Sequence, residues 1–274
     1  ISTWDTSDVT DMSFLFSSLD VNYNWTGGTY CSTAMMFDED LSGWDTSNVT
    51  SMRFMFGYAL SFNADLSLWD TRKVTDMHGL FFDAQSFSGE ISPWSTSKVM
   101  DMRFMFGYAY SFNGNISLWD TSNVTTFENM FRHARSFNQN LATWNVSRAF
   151  DLEGMFAYAV AFDQPLDYWN VANVIYLSRM FQGASSFNGN ITWWRPLNAV
   201  YLDSMFENAT AFNHDLHWPT SSCVQMDSMF MGATAFNGNI SAFITSNVTS
   251  MHSTFQGASS FSSAIENWDT GKVV

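Results

Sequence analysis

The stretch that decides the fold is residues 94–119, WSTSKVMDMRFMFGYAYSFNGNISLW, which begins and ends on a tryptophan. The same pattern recurs in both directions along the chain with a period of 25 residues. The tryptophans at this step are Trp44, Trp69, Trp94, Trp119, Trp144, Trp169 and Trp194, and Trp218, Phe243 and Trp268 continue the series with one single-residue slip. A period held over the whole chain indicates a repeat protein, so we expect about ten stacked units.

One unit carries two patterns of secondary structure. Met102, Met105, Phe106 and Ala109 stand at i, i+3, i+4 and i+7, which is the spacing of one apolar helix stripe. Ahead of them, the segment at Val99 is rich in β-branched residues in the corresponding units and predicts a strand of about three or four residues. The sequence therefore predicts an α/β fold, a leucine-rich-repeat-like solenoid of short strands and short helices that forms one domain over residues 1–274.

Further columns predict how the units stack. A second phenylalanine follows the first by six residues, as Phe112 follows Phe106, and an asparagine such as Asn113 comes next. Asparagine amides stacked in this way can satisfy backbone groups of a turn. The Trp-Asp-Thr-Ser segment at Trp119 supplies side-chain oxygens for a second corner. A single unit cannot bury its own Phe, Met and Trp, so we expect these side chains to be sealed between neighbouring coils.

Residues 17–33 interrupt the period and predict an inserted loop. Insertions in repeat proteins project from one face and often carry recognition, so Trp25 in this loop is a candidate ligand-binding residue. The chain begins at Ile1 without a methionine and stops partway through a unit. We therefore expect a fragment of a longer chain, whose open ends need further repeats, a capping domain or head-to-tail contact with another copy.

Charge and composition exclude several classes of function. The net charge of −15 repels phosphate backbones and anionic lipids, which disfavours a nucleic-acid partner. No apolar run approaches the roughly 18 residues of a membrane span, so we expect no membrane insertion in this segment. Cys31 and Cys223 lie many units apart, which is too far for a disulfide. We find no nucleophile elbow and no phosphate loop, and we predict neither an enzyme nor a cofactor.

The repeat also resembles a known family. The pattern Trp-Asp-Thr-Ser-x-Val-Thr-x-Met-x-x-Met-Phe-x-x-Ala-x-x-Phe-Asn, clearest at 44–62 and 119–137, resembles the bacterial surface-protein repeats of about 26 residues, the BspA-like, leucine-rich-repeat-type surface repeats that also occur in mycoplasma lipoproteins. The resemblance implies an α/β solenoid on the cell surface with attachment or structural roles and no catalytic residues. The Asp-Thr corner is lost after Trp194 and Trp218, so the resemblance implies the architecture of these units and not the geometry of their corners.

Aromatic residues outside the core columns are candidate ligand-binding residues. Phe54 and Tyr58, like Phe104 and Tyr108, are spaced i, i+4, and Tyr110 lies beside the second pair. Their columns elsewhere hold Gly, Asn, Ser or Arg, which favours an exposed position where they could stack on sugars or anchor a protein partner. The alternative is that they pack on neighbouring coils.

Nine Asn-x-Ser/Thr sequons are candidate glycosylation sites in a secreted protein. They are Asn24, Asn48, Asn115, Asn123, Asn145, Asn190, Asn208, Asn239 and Asn247. Several of them arise directly from the repeated Asn-Val-Thr motif, so a structural role at a corner is the alternative explanation.

Two side-chain groups raise the question of a metal site. Acids recur in adjacent columns at Asp38, Glu39, Asp40, Asp65 and Glu90, where they could bind Ca²⁺ or face water. No Ca²⁺-loop motif accompanies them, which favours a solvated surface. His214-x-x-His217 has a weak zinc spacing without a third ligand. We therefore predict no metal site.

These observations favour a non-enzymatic structural or adhesion scaffold at the cell surface or outside the cell, able to take part in a self-associating assembly. Its partners would be proteins or further copies of itself. The alternative is a carbohydrate- or protein-binding module that uses the exposed aromatics. A lower-ranked alternative is ice binding by a regular threonine ladder, which is broken at Val146, Val171 and Pro196. The ladder comprises Thr6, Thr46, Thr71, Thr96 and Thr121.

Overall fold

The structure is a computed structural model that describes residues 4–18 and 35–274. Each repeat forms one coil, and parallel bridges of one residue per coil join successive coils. The bridged residues, in order along the stack, are Asp11, Ser51, Asp76, Asp101, Thr126, Asp151, Tyr176, Tyr201, Gln225 and Ser250. All of these bridges are isolated, so the segment at Val99 leads to a single paired residue and not to the predicted strand.

The prediction of a helix in each unit is wrong. Apart from Met35, which borders the undescribed segment, no described residue is helical. The N–H of Phe54 donates to the carbonyl of His78 on the next coil at 2.9 Å, whereas the N–H of Met55 donates to Met52 at 3.1 Å. This alternation continues to residue 59, whereas a helix would send every N–H four residues back. The α/β, leucine-rich-repeat-like fold is therefore replaced by coils of consecutive turns, and no described segment forms a helix able to cross a membrane.

Two columns of each coil have a left-handed backbone. Phe54 has a φ of 49° and Tyr58 a φ of 60°, and both occupy the third position of a turn, as a type II turn requires. The following coils repeat this conformation, for example at Gly79 and Asp83. Gly, Asn and Asp adopt positive φ most readily, which explains why they recur in these columns. Their recurrence therefore marks backbone conformation and not solvent exposure.

The hydrophobic core lies between the coils, as predicted. Met102, Met105, Phe106 and Ala109 are all completely buried although they do not form a helix. The ring of Phe106 stacks on that of Phe131 in the next coil, with centroids 5.6 Å apart. Within each coil the two phenylalanine columns touch, and burial of these rings against the neighbouring coil stabilises a unit that has no core of its own.

The tryptophan column combines ring stacking with a hydrogen bond. The rings of Trp94 and Trp119 are nearly parallel, with centroids 6.3 Å apart. The Nε1–H of Trp94 donates to the carbonyl of Leu66 at 2.9 Å, which pairs a buried polar group. The column persists where the Asp-Thr corner is lost, because Trp194 and Trp218 still stack at 5.8 Å.

The first coil differs from the others in the sequence separation of its contacts. Asp11 is bridged to Ser51, forty positions further along, whereas later bridges join residues 25 or 24 positions apart. Phe16 stacks on Phe37 at 4.2 Å, in the place of the contact that later coils make between phenylalanines six residues apart. Phe16 and Phe37 are 21 positions apart in the sequence, so the additional residues separate them along the chain. Except for Ser17 and Ser18, the loop at 17–33 lies outside the described residues, as do Asn24, Trp25 and Cys31.

Candidate functional site

The threonine ladder lies inside the stack. Thr121 is buried, its hydroxyl donates to the carbonyl of Asn145 at 3.1 Å, and it accepts from the N–H of Asn145 at 2.9 Å. Thr6 and Thr46 form the same pair of bonds, and Thr71 and Thr96 donate in the same way. An ice-binding surface needs exposed hydroxyl and methyl groups, so the ice-binding interpretation is wrong in its premise.

The carboxylates of the repeat accept backbone hydrogen bonds at the corners of the coil. The carboxylate of Asp45 accepts the N–H of Ser47 at 2.9 Å, and hydrogen bonds from the Ser47 side chain and backbone lower the pKa of Asp45. The side chain of Arg72 lowers the pKa of Asp70 to about 2. The acids Asp40, Asp65 and Glu90 likewise accept the N–H two residues further on. These columns therefore hold turn acceptors of the kind that Asp and Asn commonly provide.

The two groups of side chains that raised the question of a metal site have other contacts. The carboxylate of Asp38 accepts the N–H of Asn63 at 2.8 Å. A ring nitrogen of His214 lies 2.8 Å from the carbonyl oxygen of Asn188, and the ring of His217 packs on Trp193 at 4.7 Å. Within residues 4–18 and 35–274, no three His, Cys, Asp or Glu side chains are grouped as metal ligands would be.

The predicted asparagine ladder is present. The side-chain oxygen of Asn113 accepts the N–H of Asn138 at 2.9 Å, and Asn138 accepts from Asp163 in the same way. The side-chain oxygen of each such asparagine accepts a backbone N–H from the turn of the next coil. This bond runs between coils and therefore contributes to stacking.

The sequon asparagines fall into groups with different contacts. Asn48, Asn123 and Asn247 donate from their amide nitrogen to a carbonyl of the preceding coil. Asn115, Asn145, Asn190 and Asn239 instead accept from the N–H two residues further on. Asn208 lies in a left-handed column with a φ of 57°. A glycan on an asparagine of the first group would be attached to the amide nitrogen that donates to the neighbouring coil. In the second group the hydrogen bond uses the side-chain oxygen, and the amide nitrogen is not needed for it. Glycosylation stays a prediction.

The candidate aromatics form a continuous row, which we call the aromatic ribbon. Phe54 is only 7% exposed and stacks on Phe14 at 5.5 Å. Phe82 packs edge-on between Phe54 and Phe104, at 5.9 and 5.6 Å. The other members are Tyr58, His78, Tyr108, Tyr110, His133 and Tyr158. The expected exposure of Phe54 is therefore wrong, and the alternative of packing on neighbouring coils describes it.

Half-buried rings and cations give the aromatic ribbon its chemistry. Tyr58, Phe104, Tyr108 and Tyr110 each keep part of their surface in solvent. Arg135 lies over the ring of Tyr110 at 4.6 Å, and Arg53 and Arg132 lie over Phe54 and Tyr158. Three arginines thus lie over rings of the aromatic ribbon, and carboxylates border it as well, such as that of Asp101, 3.7 Å from His78. Ligand binding by these residues stays a prediction.

The ribbon histidines are held in their neutral form. His78 is buried, and its Nδ1 lies 3.7 Å from the carboxylate of Asp101. Burial, with a smaller contribution from Arg53, lowers the pKa of His78 to about 4. The ring of His133 is stacked on both Tyr108 and Tyr158, and burial together with Arg132 lowers its pKa to about 4.

A groove of about 480 Å³ with a mixed polar and apolar lining lies beside the bridged residues of the later coils, and the sequence did not indicate it. Tyr176 and Tyr201 stack along one side of it with parallel rings 5.2 Å apart. Arg179 forms an ion pair with Glu153 at 2.7 Å, and Asp203 completes the mixed charge of the lining. The two rings stack on each other, and the lining of the groove combines the polar side chains with the exposed parts of these rings.

A second surface, also missed in the sequence, consists of the residue before each core tryptophan. We call it the corner stripe. Leu118 is 85% exposed, Tyr168 79%, Leu68 76% and Trp193 68%. The intervening positions are Pro93 and Thr143. The sequence does show that apolar residues recur directly before the core tryptophan. The period alone, however, does not show whether these side chains face the core or the solvent. Exposed apolar side chains of this size that recur in one column of the stack mark a candidate interaction surface.

Comparison with known proteins gives the chain a family but no activity. No curated protein matches the chain. A repeat-family model matches it over residues 1–67, 28–143, 76–194, 128–217 and 216–274, which together span the sequence. This supports the predicted repeat family, but not its narrower BspA-like or leucine-rich-repeat identity. The chain belongs to the family described as "Mycoplasma protein of unknown function, DUF285".

Proposed function

We propose that the chain is a non-enzymatic scaffold with a structural or adhesive role at the cell surface or outside the cell. The observation that carries this proposal is that the repeated polar side chains form hydrogen bonds to the neighbouring coil. Buried threonine hydroxyls, tryptophan N–H groups and asparagine oxygens all bind the neighbouring coil. The repeated positions therefore serve stacking, and what varies from coil to coil is the outer surface.

Such a stack suits the display of side chains along a line. Each coil contacts its neighbours through parallel bridges, and the core is continuous from one coil to the next. Because a stack of this kind holds its surface columns at constant intervals, it can engage a long partner at several points.

Self-association is part of the proposal. The first described coil leaves a groove of about 350 Å³ lined by apolar residues that include Trp4, Leu15 and Trp44. The last coil leaves a similar groove beside Phe255 and Trp268. A further coil, from the same chain or from another copy, would cover either surface with the stacking used elsewhere. Sedimentation velocity over a concentration series tests contact between copies, which Leu15→Asp should abolish.

The location is tested in cells that carry the full-length gene. A tag inserted in the chain should be cleaved by protease and bound by antibody on intact cells. A cytoplasmic marker protein that stays protected shows that the membrane is intact. If the tag is then detected only after lysis, the proposed surface location is contradicted.

Protein binding by the aromatic ribbon is a second candidate function. Half-exposed tyrosines with arginines above them are typical of the side chains that dominate protein interfaces. Because the ring faces are covered by neighbouring rings or cations, this surface suits a protein better than a sugar. Binding to immobilised matrix proteins should fall when Tyr110 and Arg135 are both changed to alanine.

A further inference from the structure

Tyr168 and Trp193 of the corner stripe differ from the other aromatic columns in the exposure of their ring faces. In the other aromatic columns each ring covers the next, as Tyr176 covers Tyr201 at 5.2 Å. Phe150, which is 43% exposed, has no aromatic residue at the same position of the adjacent coils. Among the described residues, no ring contact involves Tyr168, and the ring of Trp193 meets only His217, at 4.7 Å and a tilt of 44°. Two adjacent coils therefore present large aromatic surfaces to solvent.

Polar groups flank both rings. Asp167 and Thr192 directly precede the two aromatic residues, and Asn170 and Arg195 follow two positions after them. Asn170 and Arg195 are exposed. Each exposed ring thus has residues with hydrogen-bonding side chains before and after it in the sequence, which suits a ligand with an apolar face and a polar rim.

Charge limits the kind of ligand. The chain carries a net charge of −15 and repels polyanions at long range. Near the two rings the charges of Asp167 and Arg195 are opposite in sign, so the site itself does not favour a strongly charged ligand. A neutral ligand fits both conditions.

The spacing of the coils suggests a polymer. The coils of Tyr168 and Trp193 are joined by the parallel bridge between Tyr176 and Tyr201, and paired backbones lie about 4.8 Å apart. An extended β-1,4-linked hexose chain advances by a similar distance for each sugar. Every pyranose ring has an apolar C–H face and a rim of hydroxyl groups. A chain that runs along the stack would meet both rings, and because these rings are not in contact with each other, the two sugars that meet them need not be neighbours in the polymer.

We propose that Tyr168 and Trp193 form a binding site for a neutral, extended β-linked polysaccharide that runs along the stack. The C–H faces of two sugars of the chain pack on the two rings, and the neighbouring polar side chains bind their hydroxyl groups. This binding would serve adhesion, but it does not depend on where the protein is located. A negative result in the surface-labelling experiment therefore leaves this proposal standing.

Calorimetric titration of the chain with cellohexaose and N-acetylchitohexaose tests the proposal. We expect at least one of them to bind, and maltohexaose, whose α-linked chain is curved, to bind more weakly. Tyr168→Ala and Trp193→Ala should each weaken binding by about tenfold, the effect of losing one aromatic contact. Tyr176→Ala removes a tyrosine of the same coil whose ring packs on Tyr201, and it should leave the affinity unchanged.

A fluorescence measurement tests the site without relying on an alanine variant. Trp193 is more exposed than the core tryptophans, so acrylamide should quench it and a bound oligosaccharide should protect it. The protected component should be absent in Trp193→Phe.

Four results would overturn the proposal. They are the absence of binding to both β-linked hexasaccharides, equal binding of maltohexaose, unchanged affinity in a Tyr168→Ala/Trp193→Ala double variant of unchanged thermal stability, and self-association of the wild type that this double variant abolishes. The last result would assign the corner stripe to contact between copies.

Discussion

Thr46 and Asp70, on adjacent coils, are joined by two hydrogen bonds of opposite direction. The hydroxyl of Thr46 donates to the Asp70 carbonyl at 3.2 Å and accepts from the Asp70 N–H at 2.8 Å. A hydroxyl can do both at once, so one buried side chain pairs two backbone groups of the next coil. The same relationship recurs along the column and links coils at the corner where a bridge is absent.

Thr46→Val should destabilise the protein. Valine fits the space, because Val146 occupies the same column and is buried. However, the substitution leaves the N–H and carbonyl of Asp70 without their partner, which costs about 1–3 kcal/mol. Guanidinium unfolding measures the change. The reverse substitution, Val146→Thr, adds a hydroxyl at the matched position and should stabilise by about 1 kcal/mol. Equal stability of all three proteins would contradict a role for the hydroxyl.

Gly79→Ala should be more damaging than Gly257→Ala. Both glycines have positive φ, 62° and 76°, so alanine strains the backbone by about 1–2 kcal/mol at either position. A methyl group at Gly79 would also collide with the ring of Phe54, whereas at Gly257 the nearest atoms are 3.6 Å away. The difference between the two variants in unfolding free energy therefore reports the collision. A loss at Gly257 as large as that at Gly79 would show that backbone strain alone accounts for both.

Cys223 should be unreactive in the folded protein. It is completely buried, and burial raises the pKa of its thiol to about 12, so the nucleophilic thiolate is scarce at neutral pH. In a Cys31→Ser background, where Cys223 is the remaining thiol, labelling by a disulfide reagent should be negligible at pH 8 and complete in denaturant. Rapid labelling of the folded protein would place this side chain near solvent.

His133→Asn should reduce the loss of stability in acid. The pKa of His133 is about 4 in the folded protein, below its ordinary value of 6.5, so the unfolded state binds more protons in between. This contribution to stability is complete above pH 6.5 and is lost as the pH falls toward 4. Asparagine suits the left-handed backbone of this column, as Asn208 shows.

The measurement is the unfolding free energy of both proteins between pH 8 and pH 4. As the pH falls from 8 to 4, the unfolding free energy of the wild type should decrease relative to that of the variant. His78 has a similarly lowered pKa. Burial raises the pKa of Asp151 to about 6, so the contribution of Asp151 to stability is lost as the pH rises from about 4 toward 6. Both groups are common to the two proteins and cancel in the comparison. A gap that is constant with pH would show that His133 does not titrate as described.

The inward residues could be predicted because each is apolar in nearly every repeat. Phe106, Ala109 and Trp119 were placed in the core by their recurrence, and all three are buried. The asparagine ladder followed from the same argument. The helix was wrong because a spacing of i, i+3, i+4 and i+7 does not distinguish a helix from consecutive turns. Each turn also returns the chain after three residues, as Met55 does to Met52.

The outer surface was predicted less well. Gly, Asn and Ser in the column of Phe54 suggested exposure, whereas they mark a left-handed backbone, so this ring is covered by its neighbours. The exposed rings of Tyr168 and Trp193 lie next to a core column and were missed. Whether a side chain outside the core meets solvent depends on neighbours 25 residues away, which a single repeat does not reveal.

The amino-acid sequence by itself determined the length of the repeat, its stacking in register and the side chains that face inward, because each repeat must bury its aromatic residues on the next. Only the tertiary structure decided the path of the backbone within a coil. The physical reason is that alternate N–H groups, such as that of Phe54, find their acceptors on the adjacent coil, 24 residues further along the chain. Local periodicity contains no information about partners at that distance.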